Sequence, residues 1–228
     1  CNVDACIMCE RAAPTFKAEV DRLKDVLGAI EHLMPNLEQI HIQGNAEPFY
    51  KGLIFDVLEI LNFSSFKHRI TVSTTTNGML LDEATRDKWL LTVPHSVTVF
   101  SLDAATRETY QKLRIFDAYD QVVDNMVLFD MNRVSARQFL QIFNNINTIN
   151  VGEVVMMCET ARQIGVDLIE FAPTDGFRKD ILVNKSNCGL FAKAQLDLLE
   201  FCAATKVPVR VSRPLDMGLG MELTLQML

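Results

Sequence analysis

The stretch LEQIHIQGNAEP, residues 37–48, contains the pattern from which the fold of this chain can be predicted. Ile40 and Ile42 alternate with polar residues, as in a short strand with one buried face. The residues after position 43 are small, polar or proline, which is typical of a turn between elements. Residues 49–61 then carry apolar side chains at helical spacing. The stretch therefore predicts a strand, a polar loop and a helix, in that order.

The same order of elements recurs along the chain. Further strands are predicted over residues 69–75, 96–101, 138–143, 166–171 and 207–211. Helices are predicted over residues 14–33, 106–129, 151–164 and 190–203, with another that begins after Asp82 and an interruption near Asp117. Strict alternation with short connections predicts parallel strands joined by right-handed crossovers, and such folds bind ligands at the carboxyl ends of their strands.

The composition restricts the classes of function. Of the 228 residues, 49% are hydrophobic and 22% charged, as expected for one large globular domain. The net charge of -7 argues against nucleic-acid binding as the main function, because phosphate contacts need a basic surface. The sequence contains no run of about 18 apolar residues, so no membrane-spanning helix is predicted. Cys158 and Cys202 lie on apolar helical faces, which indicates a reducing, cytoplasmic location.

Three of the six cysteines, Cys1, Cys6 and Cys9, lie at the start of the chain. Thiolates at this spacing can converge on one soft-metal centre. A structural zinc site would need a fourth sulfur or imidazole ligand, and no second cluster of cysteine or histidine follows. The residues by themselves leave two alternatives open: a metal centre with one exchangeable position, or a zinc or structural-thiol site completed elsewhere, for example by Cys188.

At these cysteines the chain resembles the radical S-adenosylmethionine (radical SAM) superfamily. The usual spacing of that family is C-x3-C-x2-C, whereas this chain has C-x4-C-x2-C. The resemblance implies that Cys1, Cys6 and Cys9 hold a [4Fe–4S] cluster whose remaining iron binds SAM. We expect the loop to absorb the additional residue as a local bulge, without a change of ligands.

Two loops after predicted strands extend the resemblance. Residues 44–48 resemble the glycine-rich segment of the family that lies along the amino group of SAM. By that resemblance SAM is contacted by Gly44, Asn45, Ala46, Glu47 and Pro48. A cationic amino group is satisfied by carbonyl dipoles and by a nearby carboxylate such as that of Glu47. Residues 75–78 resemble the Thr-Asn-Gly segment of the family, which adds Asn77 to the implied site.

A third motif combines Ser101-Leu102-Asp103 with Arg114. It resembles the fourth-strand segment of the peptide-modifying branch, and by that resemblance Ser101 and Arg114 contact the carboxylate of SAM. A guanidinium suits this role because it can donate two parallel hydrogen bonds. Asp103 belongs to the same implied site, although it can instead cap the following helix. Asn144 is a further candidate, for the ribose or adenine of SAM.

The resemblance implies an α/β fold, a partial (β/α)6 TIM-like barrel of parallel strands whose first strand is missing before Cys1. Residues 1–212 would form this core, and residues 213–228 a tail or the start of an extension. The chain resembles the SPASM-type branch, which modifies peptides and proteins, without the C-terminal cysteine extension of that branch.

The implied activity is reductive cleavage of SAM to a 5′-deoxyadenosyl radical, which abstracts hydrogen from a peptide or protein side chain or from a small molecule. Flavodoxin or ferredoxin would supply the electron. No residue is assigned to hydrogen abstraction itself. The alternatives are a degenerate barrel without a cluster that acts as a binding module, and a zinc-binding structural domain.

Overall fold

The computed structural model describes residues 6–7, 20–43, 47–175 and 179–215. These residues contain one sheet of six parallel strands, in the spatial order in which they occur along the chain. The strands are β1 Gln39–Ile42, β2 Thr71–Thr76, β3 Ser96–Ser101, β4 Gln138–Ile146, β5 Leu168–Pro173 and β6 Val209–Val211. The sheet is not closed. The predicted partial barrel of parallel strands is therefore confirmed.

Seven α-helices connect or flank these strands in the described part of the chain. They are α1 Val20–Ile30, α2 Leu53–Ile60, α3 Glu83–Thr92, α4 Arg107–Arg114, α5 Tyr119–Met131, α6 Val154–Ile164 and α7 Cys188–Thr205. Short 3-10 helices cover Glu31–Asn36, Tyr50–Gly52, Phe63–Ser65 and Val151–Glu153. None of these described helices is long and apolar enough to cross a membrane.

The two faces of the sheet have different chemistry. Crossovers between parallel strands are right-handed, so a sequential strand order places the connecting helices on one face. The side chains on that face are buried and mostly apolar, including those of Val72, Phe100, Leu140, Ile142 and Phe171. They form the hydrophobic core with the inner faces of the helices.

The opposite face of the sheet carries polar side chains beside apolar ones such as Val99 and Phe143, and we refer to it as the polar face. His41 contacts Ser73 across β1 and β2, with 3.0 Å between Nδ1 and Oγ. Gln141 donates to Glu170 across β4 and β5 at 2.8 Å. Alternation along each strand therefore gives the sheet a core side and a side that carries polar groups.

Several predicted boundaries are confirmed by backbone geometry. The predicted interruption of the helix over residues 106–129 is real, since α4 ends at Arg114 and α5 begins at Tyr119. Ile115 follows α4 with a φ of 52°, a left-handed conformation that stops the helix. Thr106 caps α4, because its hydroxyl accepts from the N–H of Thr109 at 3.3 Å.

Most boundaries lie within two or three residues of the prediction, and two elements differ in a way that matters for the fold. β4 continues to Ile146, beyond the predicted end at residue 143, because its last residues still pair with β5. The first part of the predicted helix over residues 14–33 lies outside the described residues, and the described α1 passes into a 3-10 helix that contains Pro35.

The domain boundary predicted after residue 212 stays a prediction. The described chain runs on to Leu215, which is fully buried and whose N–H donates to Gln195 of α7 at 2.9 Å. Residues 216–228 of the predicted tail lie outside the described residues.

The end of α6 provides a test of the fold. Gly165 has a φ of 90°, and a Cβ there would lie 2.6 Å from a carboxylate oxygen of Asp130. We expect Gly165→Ala to lower the free energy of unfolding by about 1–2 kcal/mol, because an L-residue is strained in this conformation. Gly28→Ala is the control: its Cβ would meet nothing within 4 Å and lies within α1, so it should raise that free energy by about 0.5–1 kcal/mol. Urea unfolding measures both, and an unchanged Gly165→Ala variant would contradict the assigned helix end.

Candidate functional site

The described residues of the predicted site gather near the carboxyl ends of β1 to β4. Glu47 follows β1, Asn77 follows β2, and Ser101 ends β3. Arg114 comes from the last turn of α4 and reaches back to β3. Cys6 of the N-terminal segment contacts Arg114. Residues far apart in the sequence therefore meet at one edge of the sheet, as the strand–helix alternation predicts.

Arg114 makes most of the polar contacts in this cluster. Its Nη2 donates to the hydroxyl of Ser101 at 2.8 Å, to the Ser101 carbonyl at 3.0 Å, and to the carboxylate of Asp103. Its Nη1 lies 3.7 Å from the sulfur of Cys6. The side chain is only 12% exposed, so these contacts are largely shielded from water.

Asp103 is the anionic partner of Arg114 and is 1% exposed. Its second carboxylate oxygen accepts from the N–H of Asn145 at 2.7 Å. The idea that Asp103 caps the following helix is wrong, because Thr106 occupies the cap and Asp103 faces Arg114. Burial alone would lower the pKa of Arg114, but the Asp103 carboxylate and the Cys6 sulfur outweigh burial, so this pKa is raised and the guanidinium stays charged.

Glu153 fixes the start of the helix that carries Arg114. Its carboxylate accepts from the N–H of Ala105 at 2.8 Å and from the hydroxyls of Thr106 at 2.7 Å and Thr109 at 2.5 Å. Sequence reasoning missed this residue. These bonds hold the residue before the N-cap and two threonine hydroxyls of the first turn, and a negative charge near the N-terminus of a helix is also favoured by the helix dipole.

The N-terminal segment docks on the last turn of α4. The N–H of Ile7 donates to the carbonyl of Leu113 at 3.0 Å, next to the contact between Cys6 and Arg114. Cys1 and Cys9, the other two predicted cluster ligands, lie outside the described residues. Their placement and the expected bulge in the cysteine loop stay predictions.

Glu47 is 3% exposed, and its carboxylate faces β2. One oxygen accepts from the hydroxyl of Thr76 at 2.6 Å and from the N–H of Phe49 at 3.4 Å. The other oxygen accepts from the N–H of Asn77 at 2.8 Å. These bonds tie the loop after β1 to the turn after β2. Burial raises the pKa of this carboxyl, although the three hydrogen bonds act in the opposite direction.

The remaining residues of the two predicted loops are placed in part. The side chain of Asn77 accepts from the N–H of Met79 at 3.0 Å, so it orders the turn that begins at its own position. The carbonyl of Pro48 accepts from Ile54 at 3.0 Å, at the entry to α2. Gly44, Asn45 and Ala46 lie outside the described residues.

Asn144 and Asn145 point to opposite faces of the sheet. Asn144 has the same parity as Leu140 and Ile142, so its fully buried side chain lies on the core side of β4. Neither polar atom of its amide has a hydrogen-bond partner among the described residues. Asn145 has the parity of Gln141 and contacts Asp103, so it lies on the polar face. The predicted contact of Asn144 with a nucleoside stays a prediction, and Asn145 is the asparagine on the same face as Ser101.

Asparagines in the segment after β4 stabilise the arrangement of Asp103 and Asn145. Asn150 donates to the carbonyls of Asp103 at 2.8 Å and Asn145 at 2.9 Å. Asn147 accepts from Ile149 at 2.9 Å. Both asparagines are fully buried. The signal was present in the sequence, since residues 144–150 contain four asparagines directly after a predicted strand.

One unpaired donor shows that the cluster suits an additional anionic group. The Nε of Arg114 is buried and has no hydrogen-bond partner among the described residues. An unpaired buried donor costs about 1–3 kcal/mol, and a carboxylate would remove that cost. The hydroxyl of Ser101 accepts from Arg114, which leaves its own proton for another acceptor. The residues present therefore fit the carboxylate of SAM, and the cationic neighbour of Cys6 fits a thiolate ligand.

The other described cysteines lie in different surroundings. Cys158 is fully buried, and burial raises the pKa of its thiol to about 12, as expected for an inert core residue. The sulfur of Cys188, the proposed fourth zinc ligand, lies 3.6 Å from the carbonyl of Lys185. No group of three histidine, cysteine or acidic residues within the described ranges could hold a metal ion.

Several solved structures that share this fold are radical SAM enzymes. The chain matches SuiB of Streptococcus suis bound to the precursor peptide SuiA with 15% identity and a TM-score of 0.70, over 96% of this chain and 48% of that chain. It matches anSMEcpe with bound AdoMet with 16% identity and a TM-score of 0.67, over 90% of this chain and 60% of that chain. A radical SAM methyltransferase from Sphaerobacter thermophilus matches with 15% identity and a TM-score of 0.56, over 86% of this chain and 58% of that chain.

At this level of identity the likeness shows the fold alone. As far as the fold is concerned, the resemblance found in the sequence is confirmed. The chain spans between about half and three fifths of the length of these solved chains. No protein-family model and no curated protein matches it.

The burial of Glu47 predicts a pH dependence of stability. Because burial raises the pKa of its carboxyl, the folded state binds the proton more tightly than the unfolded state, whose pKa is about 4.3. The contribution of Glu47 is fully present below that value and is lost as the pH rises through the folded pKa. Position 47 cannot titrate in the Glu47→Gln variant. The free energy of unfolding of the wild type should therefore fall, relative to that of the variant, as the pH rises through the folded pKa of Glu47.

Urea unfolding of both proteins between about pH 4 and pH 8 measures this difference. A wild type that gains stability relative to Glu47→Gln as the pH rises would contradict the expectation. In that case the accepted hydrogen bonds would outweigh the cost of burying the carboxylate.

Proposed function

We propose that this chain is the catalytic core of a radical SAM enzyme in which Cys1, Cys6 and Cys9 hold a [4Fe–4S] cluster. The observation that carries the proposal is the contact of Cys6 with the buried pair of Arg114 and Asp103 at the carboxyl ends of the strands. The fold shared with radical SAM enzymes supports it, as does AdoMet bound to anSMEcpe. The enzyme class follows from the chemistry of the site, because a fold by itself does not define a function.

When bound, the cluster would be held by the three cysteines and would supply the electron for reductive cleavage of SAM, the chemistry that would allow hydrogen abstraction from the substrate. The residues of the chain would bind SAM and orient it. Arg114 offers its unpaired Nε–H and its positive charge to the carboxylate of SAM, and Ser101 offers its hydroxyl proton. Asp103 holds the guanidinium in place from the opposite side.

The role of Glu47 differs from a direct contact with the amino group of SAM. Its carboxylate is buried and accepts three hydrogen bonds from the protein, so it is engaged before any ligand binds. In this proposal Glu47 acts by holding the end of the loop after β1, at residues 47–49, against the turn at Asn77. In this proposal the amino group of SAM is bound by that loop, including Gly44, Asn45 and Ala46.

We propose a peptide or protein side chain as the substrate, with a small molecule as the alternative. SuiB is bound to its precursor peptide, and anSMEcpe was solved with a Kp18Cys peptide, which favours the first choice. A flavodoxin or ferredoxin would act as reductant.

The first prediction concerns the cluster. Anaerobic reconstitution should load roughly four irons per chain, together with sulfide, as a [4Fe–4S] assignment requires. Changing Cys1, Cys6 or Cys9 to Ala should abolish loading, because each removes a thiolate ligand. Cys202→Ala should load normally, since Cys202 lies in α7 and outside the predicted ligand set. Metal and sulfide analysis is the measurement: zinc without iron would support the structural zinc domain, and neither metal would support the binding module.

The second prediction concerns SAM. Arg114→Ala should weaken SAM binding to the cluster-loaded protein by about 1.5–3 kcal/mol, the usual range for a hydrogen bond to a charged group. Arg114→Lys should recover part of this loss, because an ammonium keeps the charge but lacks the donor at Nε. Arg114→Ala also leaves the buried side chain of Asp103 without its cationic partner, so iron content is measured beside affinity. Unchanged SAM affinity in both loaded variants would refute the assigned role of Arg114.

A further inference from the structure

We propose that Arg114 also donates a hydrogen bond to the sulfur of Cys6 and thereby raises the reduction potential of the cluster. Arg114 would then act on both partners of the reaction, on the carboxylate of SAM and on one thiolate of the cluster. This inference rests on the proposed function. It adds a positioning role that concerns electron transfer, which is distinct from the binding of SAM.

The geometry assigns different hydrogens of the guanidinium to different partners. Nη2 is directed at Ser101 and Asp103, whereas Nη1 has the sulfur of Cys6 at 3.7 Å as its hydrogen-bond acceptor. That distance is long for oxygen but suits the larger sulfur atom. Nε remains for a ligand. The planar fork of arginine can serve three directions at once, which a lysine cannot do.

The position of Cys6 relative to Arg114 is fixed by the backbone. The N–H of Ile7, next to Cys6, donates to the carbonyl of Leu113, next to Arg114, at 3.0 Å. Two adjacent residues on one segment therefore contact two adjacent residues on the other. The contact between Nη1 and the sulfur thus belongs to a two-point junction between the N-terminal segment and the last turn of α4.

A donor at this position favours the reduced state. One electron from a reductant adds one negative charge to the cluster, with no bond formed or broken. Hydrogen bonds to the sulfurs and nearby positive charge stabilise the more negative state, which raises the potential. Asp103 lowers the net charge around Arg114 but accepts from Nη2, so the bond from Nη1 to Cys6 remains. Low exposure of both side chains strengthens these interactions.

Redox titration of the cluster without SAM, followed by electron paramagnetic resonance, tests the proposal. Arg114→Gln should shift the midpoint potential downward, and Arg114→Lys should shift it less. The control is Arg107→Gln in the first turn of the same helix, whose side chain is 51% exposed and pairs with Asp117 and Asp120. Its potential should equal that of the wild type. An Arg114→Gln potential equal to that of Arg107→Gln would overturn the proposal.

A double variant separates the hydrogen bond from the charge. Asp103→Asn combined with Arg114→Gln removes one charge of each sign, so the net charge near the cluster is unchanged. Its potential should still lie below that of the wild type, by a smaller amount than for Arg114→Gln alone. A potential equal to that of the wild type would mean that charge alone acts and that no hydrogen bond to Cys6 contributes, which would overturn the proposal.

A measurement on the wild type remains decisive if the Arg114 variants fail to fold or to load iron. Protein labelled with ¹⁵N-arginine, reduced without SAM, should show a weak ¹⁵N hyperfine coupling to the cluster. Arg11→Gln should keep this coupling, which excludes the arginine nearest in sequence to Cys9 as its source. Absence of the coupling in the loaded wild type would overturn the inference alone, whereas failure of the wild type to load iron would overturn the proposed function.

Discussion

The ion pair between Asp103 and Arg114 joins three parts of the chain at the edge of the sheet. Asp103 follows β3, Arg114 ends α4, and the second carboxylate oxygen of Asp103 accepts from Asn145 in β4. Removing two charges from water is costly, and only good geometry with further hydrogen bonds offsets that cost. Ser101 and Asn145 supply such bonds here, and Cys6 supplies another acceptor. The pair therefore fixes the position of α4 relative to β3 and β4, and Cys6 contacts the same guanidinium.

Two acidic residues of the site serve in different ways because their surroundings differ. Asp103 forms an ion pair with the guanidinium of Arg114. Glu47 faces neutral donors on Thr76, Asn77 and Phe49, and burial raises its pKa. The first holds a charged group in place for a ligand, and the second ties two loops together. Both carboxylates already accept hydrogen bonds from the protein itself.

The parallel sheet explains why these groups can meet. All six strands run in the same direction, so their carboxyl ends and the loops that follow share one edge. The core side of the sheet is packed by helices. Rigid strands hold Ser101 and Asn145 more precisely than a loop could. The likeness to larger radical SAM enzymes concerns this shared core, which makes up about half of the SuiB chain.

The sequence alone determined the features that depend on local patterns. Hydrophobic periodicity predicted all six strands and the order of the helices, Gly165 marked the end of α6, and the interruption near Asp117 separated α4 from α5. The loops after the strands were also predictable as the place of the site, because alternation of parallel strands and helices gathers them at one edge. These features follow from neighbours within a few residues along the chain.

Only the tertiary structure decided which side chains meet. The direction of the Glu47 carboxylate depends on donors about 30 residues away in β2 and the turn after it, and the contact of Cys6 with Arg114 spans 108 residues. The end of β4 was misplaced because its final pairs are formed with β5, and that extension sends Asn144 into the core and Asn145 to the polar face. Asp103 has the local pattern of a helix cap, yet its carboxylate bonds the guanidinium of Arg114, 11 residues away, and Thr106 takes the cap. Such partners are set by packing between strands, which no local pattern records.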